Sequence, residues 1–118
     1  MRKLLIVPVA ALGLLLAFSA AALAQNSNDG LNRWMTVNNY SGTGTAVSIY
    51  IMPAGARCCW SPDLLGNDVI PPGRSFNVNF DDGSRACIFD IRITSEDTRR
   101  DWNFYNLDVC SNSAVNLR

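Results

Sequence analysis

Histidine is absent from the chain, and Lys3 is its only lysine. The lack of histidine excludes catalytic triads that use an imidazole, histidine-ligated metal sites and imidazole acid–base catalysis. If Lys3 is removed with a leader, Schiff-base chemistry on a lysine is excluded as well. Carboxylates and cysteines are the catalytic side chains that remain, and they form no recognisable catalytic pattern. We therefore predict that the protein is not an enzyme and has no cofactor.

Positive charge is also sparse. After residue 24, eight arginines stand against ten acidic residues, which gives a net charge of −2. Arg99 and Arg100 are the only adjacent basic residues in this part, and Asp97 and Asp101 flank them. Nucleic-acid binding normally requires a concentrated basic surface. We therefore expect no nucleic-acid partner.

The first 24 residues have the order of features found in a cleaved signal peptide. Arg2 and Lys3 precede the apolar run Leu4–Leu16, and Ala22 and Ala24 place small residues before a cleavage point. A retained transmembrane helix is the alternative, but no basic stop-transfer segment follows the apolar run. We predict cleavage after residue 24, a periplasmic or secreted protein, and no membrane span after cleavage.

The rest of the chain is predicted to be one small all-β domain. Residues 25–32 are polar and without periodicity, which indicates a disordered lead-in. Residues 33–118 contain about seven short segments of alternating apolar and polar residues and no helical repeat. This pattern predicts a small antiparallel β-sandwich over residues 33–118, with a small β-barrel as the alternative.

The same alternation predicts which side chains face inward. Val47, Ile49 and Ile51 should share the inward face of one strand, and Phe89, Ile91 and Ile93 that of another. Trp34 and Trp102 should add to the core, and Ala114–Leu117 should form a short last strand. The pair Asp82-Gly83 is typical of a tight turn, which predicts a hairpin between the strands on either side.

Four cysteines in a small exported chain predict disulfide bonds. Three full pairings are open, and we favour Cys87 with Cys110 because these residues lie on neighbouring predicted strands. Cys58 and Cys59 are adjacent, and the spacing of adjacent Cα atoms across a trans peptide makes a direct bond awkward. They could form a reducible redox switch, remain unpaired with one buried, or pair with another chain.

The segment 60–73 is the main candidate for contact with a partner. Trp60 beside the cysteines could anchor a protein or a glycan, with Asp63 next to it, although a tryptophan in a small domain more often covers the edge of the core. Asp63 and Asp68 are also weak candidates for calcium ligands, since they place carboxylates in one loop without an EF-hand pattern. Structural turns are the favoured role for these aspartates, and we predict no metal site.

Three motifs lie between residues 60 and 110 of the sequence. They are the segment 60–73 (WSPDLLGNDVIPPG), the segment 87–92 (CIFDIR) and the segment 106–110 (NLDVC). Together they resemble a family of small exported proteobacterial proteins with the pattern W-x-x-D-L-L-G, C-x-[YF]-D-[IL]-R and N-[VL]-D-[LV]-C, whose function is not established. The resemblance implies that Cys87 and Cys110 form the family's disulfide. Cys58 and Cys59 lie outside the pattern, so no role is implied for them.

Members of that family are sometimes labelled argininosuccinate lyase. That enzyme is a large helical tetramer, and nothing in this pattern of short strands is similar to it. The sequence instead predicts an exported, monomeric binding or structural module that contacts a protein or glycan partner through the 60–73 segment. The alternative prediction is a thiol-redox or metal-responsive protein that uses Cys58 and Cys59.

Overall fold

The structure, a computed structural model, describes residues 27–97 and 100–118. The predicted signal peptide over residues 1–24 lies outside the described residues. The described residues form six strands and no helix, so none of their segments is a helix able to cross a membrane. The strands are β1 (Trp34–Asn39), β2 (Ala46–Pro53), β3 (Ser75–Asn79), β4 (Ile88–Ser95), β5 (Asp101–Asp108) and β6 (Ala114–Leu117).

The strands form two separate three-stranded sheets, and the predicted all-β fold is confirmed. The described residues contain six strands where about seven were predicted, and one pair is parallel where an antiparallel arrangement was predicted. Sheet A has the order β3-β1-β6, and sheet B has the order β2-β4-β5. Sheet B is antiparallel throughout, whereas in sheet A β1 pairs antiparallel with β3 and parallel with β6. The parallel pair joins β1 to β6. Parallel neighbours need a long connection between them, and here the chain between these two strands provides it.

Both sheets contribute to a single hydrophobic core. Alternation along each strand places every second side chain on the inner face, where the two layers meet. The innermost residues of β4, Phe89, Ile91 and Ile93, are fully buried, as their spacing predicts. The other buried apolar residues are Met35, Val37, Ala46, Ile49, Ile51, Leu65, Ile70, Val78, Phe80, Trp102, Val109, Val115 and Leu117.

The prediction for the start of β2 is wrong at Val47. The pairing of β2 with β4 shifts between Ala46 and Ser48, so that Val47 is an extra residue in the ladder. A β-bulge of this kind changes which side chains face inward. Ala46 is therefore fully buried in place of Val47, which is partly exposed, while Ile49 and Ile51 keep their predicted burial.

The prediction that Trp34 lies in the core is also wrong. Met35 and Val37 face inward along β1, so Trp34 lies on the outer face and is 55% exposed. Trp102 is buried as predicted. Alternation along β1 separates Trp34 from Met35 and Val37, but it does not state which of the two faces meets the second sheet.

The predicted hairpin at Asp82-Gly83 does not form between paired strands. β3 belongs to sheet A and β4 to sheet B, so the connection over residues 80–87 passes from one layer to the other. Asp82 still makes a local turn, since its Oδ1 accepts a hydrogen bond from the backbone N–H of Ser84. A turn motif thus identified the local conformation correctly but not the partner of the strand that follows it.

The segment 27–32 was expected to belong to a disordered lead-in, and its contacts correct that expectation. Ser27 is buried, and its backbone N–H donates to Asp81 Oδ2 over 2.8 Å. Asp29 binds Arg33 through both carboxylate oxygens, at 2.9 and 2.8 Å. A polar segment without periodicity can still be held by ion pairs and hydrogen bonds, which periodicity does not report.

Candidate functional site: the loop after β2

The 60–73 loop lies along the free edge of β2. Four main-chain hydrogen bonds join them: Ser61 N–H donates to Ile51 O, Leu64 N–H donates to Ile49 O, and Ala46 and Ile70 exchange a reciprocal pair, all over 2.8–3.0 Å. Two further bonds run from β2 to side chains of the loop. An uncovered edge strand invites pairing with other chains. The loop provides hydrogen-bond partners for the backbone of this edge strand. It does so without forming a regular strand, because its prolines lack the N–H groups that a regular strand needs.

Asp63 organises the middle of this contact. Its Oδ1 accepts hydrogen bonds from the backbone N–H groups of Ile49 and Leu65, each over 2.9 Å. One carboxylate oxygen therefore links β2 to the part of the loop that comes directly after Asp63. These two hydrogen bonds give Asp63 a structural role, whether or not it also contacts a partner as predicted.

The loop is also anchored by two apolar side chains. Leu65 and Ile70 are 3% and 1% exposed, and both belong to the core. Between and before them, Val69 is 49% exposed and Trp60 is 40% exposed. Trp60 is therefore not a core residue. The loop thus presents two large apolar side chains, each next to a residue, Ser61 or Ile70, whose main chain is hydrogen-bonded to β2.

Cys58 and Cys59 form a disulfide bond with each other, with a cis peptide between them. Their two Cα atoms lie 3.0 Å apart, so the direct bond that the spacing of neighbouring residues made awkward is present. Both residues are exposed, and Trp60 follows directly. Neither cysteine is therefore a buried structural thiol, and neither is free to pair with another chain while this bond is present.

Cys87 and Cys110 form the second disulfide, with Cα atoms 5.3 Å apart. Cys87 precedes β4 and Cys110 follows β5, and Val109 N–H donates to Cys87 O over 2.8 Å at the same end of the hairpin. The bond therefore closes the open end of the β4–β5 pair. Two disulfides and no free cysteine are compatible with an oxidising compartment.

The aspartates proposed as weak calcium candidates are not brought into a ligand cluster. Within residues 27–97 and 100–118, the one group of three acidic or cysteine side chains close enough to share an ion is Cys87, Asp108 and Cys110. Two members of that group are bonded to each other as a disulfide, so they offer no thiolate. Asp68 is exposed, and its N–H donates a local hydrogen bond to Leu65 O.

Two aspartates in the other motifs also have structural roles. Asp90 Oδ1 accepts the backbone N–H of Asn106, which adopts a left-handed conformation at φ 56° where the β4–β5 register shifts. Asp108 Oδ1 accepts the N–H groups of Cys110 and Ser111 in the turn after β5. Each carboxylate thus satisfies backbone donors at an irregular point of the fold, as short polar side chains often do.

A cluster of charged groups fixes the segment before β1. The Arg33 guanidinium donates to both oxygens of Asp29, and with the N–H of Leu31 it holds the pKa of Asp29 well below its ordinary value. Burial pulls the pKa of Asp81 upward, but hydrogen bonds from Ser27 and Gly83 outweigh it and keep this pKa below its ordinary value. Both carboxylates therefore bind their partners in the ionised form.

Two polar residues essential to this region were missed in the sequence. Arg33 is 2% exposed, and its Nε donates to Ala86 O over 2.7 Å. Asn39 is fully buried, and its amide donates to Gly44 O and to Ile70 O, each over 2.9 Å, which ties β1 to the end of the 60–73 loop. A charged or amide side chain at the end of a strand resembles a solvent-exposed residue, and only its distant partners reveal its burial.

Comparison with protein-family models, with curated proteins and with solved structures found no match to this chain. The resemblance to small exported proteobacterial proteins therefore stays a prediction, and the functional argument rests on the geometry above.

Proposed function

We propose that the protein is an exported binding module that contacts a protein or glycan partner through the 60–73 loop. The observation that supports this proposal most is the exposure of Trp60 at the start of a loop held to β2 by six hydrogen bonds. Exposed tryptophans are frequent anchors of binding sites, and loops on a rigid scaffold often carry binding residues.

The anchoring of the loop bears on affinity. A partner that binds a mobile loop must order it, and each immobilised side chain reduces the affinity. Here Leu65 and Ile70 are already buried, and the main chain of Ser61, Leu64 and Ile70 is already bonded to β2. The loop therefore has little conformational freedom to lose on binding. We assign Asp63 to the support of this surface.

The missing catalytic side chains support a binding role over an enzymatic one. The two disulfides support the proposed export to the periplasm or the cell exterior, where such bonds persist. The described residues give no support to a metal-responsive role, because neither Cys58 nor Cys59 belongs to a ligand cluster.

The proposal is tested by capture of partners from a periplasmic extract on immobilised protein. We expect Trp60→Ala to lose the captured partner, and Tyr105→Ala to retain it as the matched loss of another exposed aromatic. Both variants should unfold at the same urea concentration as the original, because neither side chain belongs to the core. Identical capture by the Trp60→Ala variant would show that the loop is not the contact surface.

The Cys58–Cys59 bond supports a second candidate function, that of a thiol-redox protein. Both residues are exposed, and accessible disulfides are those that reductants reach. A dithiol reductant would transfer two electrons and two protons, giving two thiols on this chain and a disulfide on the reductant. Mass mapping after graded dithiothreitol should show Cys58 and Cys59 reduced before Cys87 and Cys110. Simultaneous reduction of both bonds would contradict this candidate.

A further inference from the structure

The outer face of sheet A is unusual because it carries no charged residue. Its members are the side chains of β1, β3 and β6 that point away from the core: Trp34, Thr36, Asn38, Ser75, Asn77, Asn79, Ala114 and Asn116. Half of them are asparagine, which is depleted in β-strands generally. Strand propensity therefore does not explain this composition.

The outer face of sheet B provides a comparison within the same molecule. It carries Asp90, Arg92 and Asp101, and Arg92 forms an ion pair with Asp101 at 2.9 Å. That face has the mixed charge expected of a solvated sheet. A general need for solubility would apply equally to both faces, so it does not account for the neutrality of sheet A.

Hydrogen bonds between strands hold the amides of this face in place. Thr36 Oγ1 donates to Asn77 Oδ1 over 2.8 Å, Asn38 Nδ2 donates to Asn116 Oδ1 over 2.9 Å, and Ser75 Oγ donates to Asn38 Oδ1. These bonds use the oxygens of Asn77 and Asn116. Within the described residues, no hydrogen bond uses their Nδ2 groups, which leaves two amide donors on this face for a ligand.

Aromatic side chains lie at both ends of the β1 row. Trp34 begins it, and Tyr40 follows the strand two residues after Asn38; each is 55% exposed. Six residues of extended chain separate the two aromatics by about 20 Å. The Arg118 guanidinium lies 5.3 Å from the centre of the Tyr40 ring. The strip is therefore neutral from Trp34 to Asn38, and at its other end the Tyr40 ring already contacts a cation.

The chemistry of this strip limits what can cover it. A charged partner would lose its hydration and gain no opposite charge. An apolar partner would leave the amide groups without hydrogen bonds, which is costly. The complementary surface is uncharged, rich in hydroxyl groups and able to lie flat on an aromatic ring, and these are the properties of a sugar chain. We propose that the outer face of sheet A binds a neutral polysaccharide.

The shape of the face favours a chain of sugars over a single one. Small ligands are usually held in concave pockets that bury most of their surface. A flat three-stranded face gives each sugar few contacts, so useful affinity requires several sugars bound side by side along the row. This site lies on sheet A, separate from the 60–73 loop on the edge of sheet B, and neither proposal depends on the other.

Affinity electrophoresis in native gels tests the proposal. The probes are hydroxyethylcellulose, soluble starch and galactomannan, with polygalacturonate as an anionic comparison. We expect at least one neutral polysaccharide to retard the protein, and polygalacturonate not to retard it. Trp34→Ala should weaken the retardation at least tenfold, on the scale of the loss of a binding anchor. Asn116→Arg, which adds a charge and bulk to the face, should do the same.

Tyr105→Ala is the control, because it removes an exposed aromatic side chain that lies on β5, outside this face. This variant should be retarded as strongly as the original protein. Absence of retardation in every neutral gel would overturn the proposal, as would a loss in Tyr105→Ala equal to that in Trp34→Ala. A dimer that Trp34→Ala dissociates would also overturn it, because the face would then be an interface between copies of the chain.

Discussion

Replacement of Asp63 by alanine tests whether this residue serves the fold or a ligand. The change removes the acceptor of two backbone N–H groups, those of Ile49 and Leu65. A hydrogen bond to a charged group contributes roughly 1.5–3 kcal/mol, and water can partly replace an acceptor at this half-buried site. We therefore expect Asp63→Ala to lower the free energy of unfolding by about 2–4 kcal/mol, within a total of roughly 5–15 kcal/mol for a domain.

Urea unfolding followed by tryptophan fluorescence, with both disulfides oxidised, measures this loss. At a slope of about 1–2 kcal/mol per molar urea, the midpoint should fall by about 2 M. Asp63→Asn keeps an oxygen in the same place, so it should recover most of the stability. Asp68→Ala should stay within about 0.5 kcal/mol of the original, as exposed positions usually do.

Two results would refute this reasoning. If Asp63→Ala unfolds within about 1 kcal/mol of the original protein, the two hydrogen bonds contribute less than their usual amount. If calcium raises the melting temperature of the original protein but not that of Asp63→Ala, the carboxylate binds an ion. The second result would restore the ligand role that the geometry argues against.

Three further predictions follow from the same structure. The pKa values of Asp29 and Asp81 are lowered in the folded protein, so their stabilising effect is complete above the unfolded pKa of about 4 and fades as the pH falls below it. Asp29→Asn should therefore make the free energy of unfolding in urea less dependent on pH between about 5 and 2. An unchanged pH profile would contradict this. Changing Cys87 and Cys110 together to serine should lower the free energy of unfolding by about 3 kcal/mol, since the bond spans 23 residues, and a loss below about 1 kcal/mol would refute the loop-closure argument. Val47→Ser should cost less than about 1 kcal/mol because the bulge turns Val47 out of the core; a loss of 2 kcal/mol or more, typical of truncated core residues, would argue for regular pairing.

Local alternation made most strands predictable. β6 begins and ends where the sequence indicates, and the inner residues of β4 are those with the predicted spacing. Alternation failed where an extra residue enters the ladder, at Val47, because a bulge in one strand depends on its pairing with another. The same limit applies to Trp34, since a pattern of two faces does not state which face meets the second sheet.

Features that depend on distant partners were beyond local patterns. The parallel pairing of β1 with β6 joins the two ends of the domain, and the placement of β3 and β4 in different sheets breaks the hairpin that Asp82-Gly83 suggests. The burial of Arg33 depends on Asp29 and on the carbonyl of Ala86. In each case a correct local conformation is compatible with several global arrangements, and contacts far along the chain select one of them.

The motif residues and the exposed residues divide into two groups with different implications for function. Asp63, Asp90 and Asp108 stand out in the sequence, yet each accepts backbone N–H groups at a loop, a bulge or a turn. A polar residue that already satisfies the backbone is weak support for a ligand site, because the fold alone explains its presence. Trp34 and Trp60 have no such explanation, since both lie outside the core and expose large apolar surfaces to solvent. These two residues are therefore the better guide to binding. Trp34 lies on sheet A and Trp60 in the loop along the edge of sheet B, so one substitution at each position separates the two proposed surfaces.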